Sequence, residues 1–489
     1  MTDTATTDTG STDATLAATP KRDFTFRSAF ALAFSNVSPI VGIYSIFTIS
    51  LVAAGPGFFW ALPLVLIGQL LVTGVFGELV SKWPLQGSVY AWSRHLVGPR
   101  YGWFTNWAYM WGLTLALSAV SLAASTFLLG ALGVSKPTQT TVVFVGLLII
   151  IVGSTANMIG GRLLKTLMYV SMTAELIASL GIGTALLFFH RTQSFSILFT
   201  ASGKGHGPAW LVGSFLLPVA FAGFSFVGFE SAASIAEEVE ESRRVLPKAV
   251  TLSLAAAGLL VMYAVLGLLL AVPDIPGVLA GSVTDPITTT LQTSLGSGTG
   301  RVLLVMLTIG FAASFIAVQT AVTRAMWASA RHKMLPGSAL LEKLSGHERL
   351  PRHAIALTAL VAGPLLFIST SKIFTLLLSF ATAGFFISYA MPILAAVYVR
   401  RRGRWSPGQH TMGRWSSVVT YIAAVWIVLE IANIAWPRKL SGVWYVDWGV
   451  LIMTGILGVV GLLLAARVFR NGGPAAGQVT ASPGTPAGE

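Results

Sequence analysis

Two carboxylates stand inside apolar stretches that are long enough to cross a membrane. Glu230 lies in FSFVGFESAAS, residues 224–234, and Glu175 lies in SMTAELIAS. Inserting a charged side chain costs about 2.5–3.5 kcal/mol, whereas a helix dipole returns only about 0.3–1 kcal/mol to an acid in its first turn. Protonation or a hydrated cavity must supply the difference. We therefore interpret Glu230 as a functional acid that binds and releases a proton, with a plain helix-start acid as the alternative.

The other intramembrane acids have simpler interpretations. Glu175 is either a proton carrier or a hydrogen-bond partner for a neighbouring helix. Glu78 is expected to contact a loop arginine at the end of its span, and Glu430 to have a structural or oligomer-contact role. The chain has no cysteine, and its seven histidines show no ligand-like spacing. No metal, cofactor or catalytic residue is predicted, so an enzyme is not favoured.

The composition predicts an all-α membrane protein. Hydrophobic residues make up 54% of the 489 residues and charged residues only 10%, against about 25% charged in soluble domains. The charges fall between apolar runs of span length. Twelve transmembrane helices are predicted, at 27–53, 58–80, 103–133, 140–158, 163–189, 209–236, 249–272, 301–330, 353–370, 374–399, 416–436 and 446–468.

The positive charges predict the orientation of these spans. If both termini share one side, 24 of the 31 Lys and Arg residues fall on that side. The positive-inside rule then places both termini in the cytoplasm of a multi-pass cell-membrane protein. The net charge of +13 is thus explained by the lipid bilayer and argues against a nucleic-acid partner. Residues 1–24 and 471–489 are predicted to be disordered cytoplasmic tails flanking a membrane domain at 25–470.

Two spans carry helix-breaking residues near their middles. The first contains SNVSPIVGIYS with Pro39, and the sixth contains FSFVGFESAAS with Gly228. A proline inside a helix costs about 3 kcal/mol, and freed backbone groups in a membrane must be satisfied by protein, water or ligand. Breaks five spans apart indicate a five-plus-five inverted repeat with substrate held between broken helices 1 and 6. The alternative is that both residues only kink packed helices.

The proposed repeats divide the membrane domain into three parts. Repeat one covers 27–190, repeat two covers 209–400, and two extra helices follow at 416–468.

Four segments resemble the amino acid–polyamine–organocation superfamily of permeases, in its amino acid/choline transporter-like branch. They are FGELVSKWPLQGSVYAWSRHLVGPRYGWFTNW (76–107), GFESAASIAEEVEESRRVLPKAV (228–250), TRAMWASARHKMLPGSALLEKL (323–344) and SYAMPILAAVYVRRRGRWSPG (388–408). The resemblance implies the same inverted-repeat fold. It also implies a secondary active permease that imports amino acids, with an amino acid exchanger or a permease for a related amine (GABA, choline or a polyamine) as the alternative.

The resemblance also implies a substrate site at the two breaks. The substrate carboxylate would be held by Ser38, Pro39, Ile40, Val41 and Gly42, and its amino group by Phe224, Ser225, Phe226, Val227 and Gly228. Phe224 would close over the substrate, and Tyr109 and Glu230 would lie near the inner gate.

Helix electrostatics agree with this placement. A half-helix starting near Gly42 would offer free N–H groups to a carboxylate, and one ending near Ser225 would offer carbonyls to an ammonium.

The sequence departs from the resemblance at two places. Pro39 stands where many members have a Gly-Ser-Gly run, which removes one N–H and favours an altered substrate head group. Span 5 carries Glu175 instead of the lysine found in some proton-coupled members.

Span 8 offers Ser314 and Thr320 but no adjacent hydroxyl pair for sodium. A coupling proton is therefore favoured over sodium.

Other functional classes lack their expected features. A channel would need a continuous polar stripe or filter, and a receptor a sizeable soluble domain.

Overall fold

Helices make up nearly all of the structure. The computed structural model describes residues 22–134, 137–205, 207–283, 285–346, 348–367, 371–438 and 444–470. In these ranges the only β contacts are two isolated bridges, so the all-α prediction is confirmed. Apart from residues 22–24, the predicted tails lie outside the described residues.

The principal helices are numbered along the chain. They are α1 (Phe26–Val37), α2 (Pro39–Ala54), α3 (Ala61–Lys82), α4 (Val89–Leu96), α5 (Pro99–Ala131), α6 (Gln139–Ile159), α7 (Gly161–Phe189), α8 (Leu216–Ser225), α9 (Ser231–Ser234), α10 (Ser242–Ala271), α11 (Pro286–Arg331), α12 (Arg352–Phe367), α13 (Ser371–Arg401), α14 (Ser416–Ala435) and α15 (Gly449–Arg470).

Eleven spans in the described ranges are long and apolar enough to cross a membrane. The predicted span 353–370 corresponds to the shorter apolar helix α12, and residues 368–370 lie outside the described part of the chain. Span 1 consists of α1 and α2, and span 6 is interrupted after α8. The division into two repeats stays a prediction.

The break in span 1 is confined to one residue. Helix α1 begins with a capping box between Thr25 and Ser28 and ends at Val37. Ser38 takes a positive φ of 45°, and Pro39 starts α2. A residue before proline is disfavoured in the α region, and proline is well suited to the first position of a new helix. The prediction that α2 starts near Gly42 is wrong: the Gly42 N–H already donates to the Ser38 carbonyl at 2.9 Å.

The break in span 6 is longer. Helix α8 ends at Ser225, as predicted, and the chain becomes helical again only at the single turn α9. Gly228 adopts φ 96°, a conformation that glycine reaches without the steric penalty of a side chain.

Packing places the broken spans at the centre. Helix α5 packs extensively on α11 and α13, and α10 packs on α3 and α7, which encloses α1, α2 and α8. In contrast, the most apolar stretch of α15 is only 17% buried, which fits a helix added at the periphery.

Both ends of the described chain lie at one end of the bundle, which we call the terminal face. Phe24 pairs with Val239 beyond span 6, and Phe469 packs against a cluster that contains Met334, just after α11. An ion pair between Glu237 and Arg331 joins these two regions.

Candidate functional site between the broken helices

The two breaks touch each other. The Ser225 hydroxyl at the end of α8 donates to the Gly42 carbonyl at 2.9 Å. On the other side of the break, Gly228 lies directly against the Asn36 side chain. The predicted meeting of the two broken spans is therefore present in the structure.

A small cavity lies beside this contact, between spans 1, 3, 6, 8 and 10. Its walls are mostly apolar. The lining residues are Asn36, Val37, Val41, Ala116, Val120, Phe224, Val227, Ser314, Val318 and Phe385. Asn36 is only 7% exposed, and its Nδ2 has no hydrogen-bond partner in the described structure. A buried amide that lacks a partner while facing a cavity is poised to bind a ligand.

Three of the ten predicted substrate residues line this cavity. They are Val41, Phe224 and Val227. Ile40 instead lines a second apolar cavity between α2, α7 and α10. The remaining six are Ser38, Pro39, Gly42, Ser225, Phe226 and Gly228, all of them buried in the packing around the breaks.

Asn36 and Phe385 were not predicted for this site. Asn36 had a sequence signal, because it is a polar residue inside an apolar span just before the break. Phe385 had none, because it is one of 28 phenylalanines.

Glu175, in the middle of α7, lies next to the start of α2. The Ser38 hydroxyl donates to Glu175 Oε2 at 2.7 Å, and the Ser171 hydroxyl donates to Oε1 at 2.8 Å. The carboxylate is fully buried. A Cβ on Gly310 of α11 would lie 3.4 Å from Glu175 Cγ. Glu175 therefore connects spans 1, 5 and 8.

Glu230 is held by two tyrosines. Tyr109 of α5 donates to Glu230 Oε1 at 2.7 Å, and Tyr389 of α13 donates to Oε2. The Tyr389 hydroxyl also accepts the Gly228 N–H at 2.9 Å. All three side chains are buried. The structure thus brings together the predicted pair Tyr109 and Glu230 and adds Tyr389, which the sequence did not single out among ten tyrosines.

The chain matches the sequence profile described as "Amino acid permease" over residues 24–461, which is most of its length. The chain belongs to the amino acid permease family. It is therefore a multi-pass membrane protein of a transporter family, as the resemblance predicted.

The relatives of this permease include transporters named for different substrates. It is 24% identical to Amino-acid permease BAT1 of Arabidopsis thaliana, over 83% of this chain and 84% of the relative. It is 22% identical to a choline transporter of Saccharomyces cerevisiae, over 86% and 77%. It is 23% identical to the thiamine transporter thi9 of Schizosaccharomyces pombe, over 89% and 81%.

At its terminal face the permease has a further group of polar contacts, separate from those of Glu175 and Glu230. Arg331 donates two hydrogen bonds to Glu237, at 2.8 and 3.0 Å. Arg324 pairs with Glu238 at 3.1 Å, and Gln86 bonds to both acids. Solvated ion pairs are the ordinary expectation for such acids, but Glu238 is 8% exposed and Arg324 is 1% exposed. These contacts join spans 6 and 8 to the segment before α4.

His332 adds further contacts to this group at the terminal face. Arg94 Nη1 lies 2.9 Å from His332 Nε2, and Tyr90 also contacts the ring. Burial, followed by the positive charges of Arg94 and Arg331, lowers the pKa of His332 to about 4. The imidazole is therefore neutral at physiological pH.

Glu78 and Glu430 of the permease have structural partners. Glu78 pairs with Arg400 at 2.6 Å and accepts hydrogen bonds from Thr411, Ser416 and the Met412 N–H. The expected contact of Glu78 with an arginine is present, but Arg400 lies in the last turn of α13 and not in a loop. Glu430 accepts from Asn433, which also donates to the Leu216 carbonyl of span 6.

Proposed function

We propose that this protein is a secondary active transporter that imports an amino acid or a related amine together with a proton, whose downhill entry drives the uptake. The observation that carries the proposal is the cavity between the two broken spans, with a buried carboxylate placed between it and the terminal face. A site at a pair of interrupted helices is the arrangement used by inverted-repeat transporters.

Glu230 and its two tyrosines form the proposed inner gate. They tie span 6 to spans 3 and 10, so a path from the cavity to the terminal face requires these hydrogen bonds to break. An ionised carboxylate accepts from both phenols, whereas a protonated one has become a donor on one oxygen. Protonation of Glu230 therefore weakens the closed gate.

This chemistry gives an order of events for import. A proton and the substrate enter from the side opposite the terminal face, the gate loosens, and the terminal face opens. Hydration of Glu230 then lowers the cost of its charge and releases the proton. Glu175 is the second candidate for the proton, since it holds the break in span 1 through Ser38.

The terminal face is proposed to be cytoplasmic and the membrane to be the cell membrane. The excess of Lys and Arg on that side supports this orientation. The ion pairs of Arg324 and Arg331 lie there as well.

The contacts of Thr320 in α11 favour a proton over sodium as the coupling ion. The Thr320 hydroxyl, one of the two candidate sodium ligands, donates to the Ile316 carbonyl at 2.8 Å and contacts Asn157 at 3.3 Å. It is engaged in packing, and only Ser314 faces the cavity.

The test is uptake into proteoliposomes of the purified protein. Labelled amino acids and amines, including choline and thiamine, are supplied under an imposed inward proton gradient, with a matched sodium gradient as the comparison. We expect saturable accumulation that an uncoupler abolishes. Counterflow without gradient dependence would instead support an exchanger, and the absence of any uptake would contradict the transporter proposal.

A further inference from the structure

Every backbone donor at the start of α2 is already engaged within the protein. The four N–H groups that a helix start leaves without helical partners belong here to residues 38–41. The Ser38 N–H donates to the Phe34 carbonyl at 2.8 Å, and Pro39 has none. The Val41 N–H donates to Ser38 Oγ at 3.3 Å, and the Ile40 N–H interacts with the Glu175 carboxylate.

The donors predicted to receive a substrate carboxylate are therefore satisfied by the chain itself. The Glu175 carboxylate lies where the helix dipole is positive, which is the favourable position for an anion when the group is ionised. A second carboxylate at this point would meet the Glu175 carboxyl group, which already occupies the space, and no free backbone donor.

The cavity offers little else to a carboxylate. Its described lining contains no lysine, arginine or histidine. The polar side chains in the lining are Asn36, whose Nδ2 is unpaired, and Ser314, which offers a hydroxyl. Both suit a neutral acceptor such as a hydroxyl or carbonyl oxygen. Burying an ionised carboxylate with only these two uncharged donors is costly.

The part of the lining formed by Phe224 and Phe385 suits a cation. Helix α8 ends at Ser225, so the carbonyls of its last turn lack helical donors, except that of Gly223, which accepts the Phe226 N–H at 3.4 Å. These carbonyls carry the negative end of the helix dipole. The rings of Phe224 and Phe385 line the same space, and aromatic faces attract ammonium groups, quaternary ones included.

We propose that Glu175 occupies the position of a substrate carboxylate and that the transported substrate is a cationic amine without a carboxylate. This deepens and rests on the proposed transport function. The substrate nitrogen, primary or quaternary, lies near Phe224 and the end of α8. A hydroxyl or carbonyl oxygen of the substrate accepts a hydrogen bond from Asn36.

The test compares ligands that differ only in the carboxylate. The pairs are choline and trimethylglycine, phenethylamine and L-phenylalanine, and isoamylamine and L-leucine. Binding to the purified full-length protein is measured by calorimetry and by thermal shift. We expect the carboxylate-free member of at least one pair to bind at least about tenfold more tightly, equivalent to about 1.4 kcal/mol.

Variants distinguish a specific effect of Glu175 on substrate preference from the general effect of removing a buried carboxylate. Glu175→Ala frees the Ile40 N–H and removes the buried charge, so the carboxylate-bearing members should gain at least about tenfold in affinity. Glu430→Ala removes another buried carboxylate, in α14, and should leave the preference unchanged. If Glu175→Ala does not fold, Glu175→Gln keeps hydrogen-bonding capacity and should shift the preference in the same direction.

The outcomes distinguish the two proposals. Equal or tighter binding of the carboxylate-bearing members to the unmodified protein would overturn this inference and leave the transport function standing. An unchanged preference in Glu175→Ala would overturn the role of Glu175. If no member of any pair binds or is accumulated, the proposed function and this inference both fail.

Discussion

Gly228 and Asn36 are in direct contact where the two broken spans meet: a Cβ on Gly228 would lie 2.8 Å from Asn36 Cγ. Gly228→Ala adds this clash to a positive φ, which costs an L-residue about 1–2 kcal/mol. We expect a lower melting temperature and loss of transport. Gly181→Ala is the control, because that helical glycine has open space around it. Equal melting temperatures and transport in the two variants would contradict this close packing.

The two tyrosines on Glu230 should differ in their importance. Tyr109→Phe removes one hydrogen bond to the acid, whereas Tyr389→Phe also leaves the Gly228 N–H without its partner. An unsatisfied buried group costs about 1–3 kcal/mol, so Tyr389→Phe should lower the melting temperature more. Tyr398→Phe, at an exposed position of the same helix, should have no effect. A larger loss in Tyr109→Phe would show that the Gly228 contact adds nothing.

Glu230→Gln tests the coupling proton. Glutamine retains the shape and can still hydrogen-bond, but it does not release a proton. Gradient-driven uptake should fall sharply, while substrate binding and exchange persist, as measured in proteoliposomes. Glu430→Gln serves as the matched buried control. If Glu230→Gln accumulates substrate normally under a proton gradient, the acid is a helix-start residue and Glu175 becomes the candidate.

Phe224→Ala should weaken substrate affinity through loss of the cavity wall. Phe221 lies one turn earlier in α8 and is also buried, but it does not line the cavity. Both truncations should cost about 3–5 kcal/mol of packing. Only Phe224→Ala should raise the substrate Kd in calorimetry. Unchanged affinity in that variant would assign Phe224 to packing alone.

His332 predicts a pH dependence of stability. Its pKa is lowered in the folded state to about 4, below the unfolded value of about 6.5. The unfolded state therefore binds more protons in between, and stability should fall as the pH drops from about 6.5 to about 4. The nearby groups are Arg94, Arg331, His95 and Tyr90. Thermal unfolding of His332→Gln should show a shallower decline over this range, and an identical slope would exclude His332 as its cause.

The sequence by itself determined the all-α membrane fold and the positions of both breaks. These follow from local chemistry. Apolar runs of about 20 residues have the length of a membrane-spanning helix, in which every backbone group is satisfied within the segment. Pro39 disfavours helix in the residue before it, and Gly228 accepts a positive φ. The sequence also showed that burying Glu175 and Glu230 costs free energy, because a carboxylate inside an apolar run of span length is costly whatever its neighbours in space.

Tertiary structure alone decided which groups meet these acids. Tyr389 reaches Glu230 across 159 positions, and Ser38 reaches Glu175 across 137. No spacing rule encodes such contacts, since they depend on how separate helices pack. The same packing shows that the donors at the start of α2 are engaged, because a free N–H is defined by its three-dimensional neighbours.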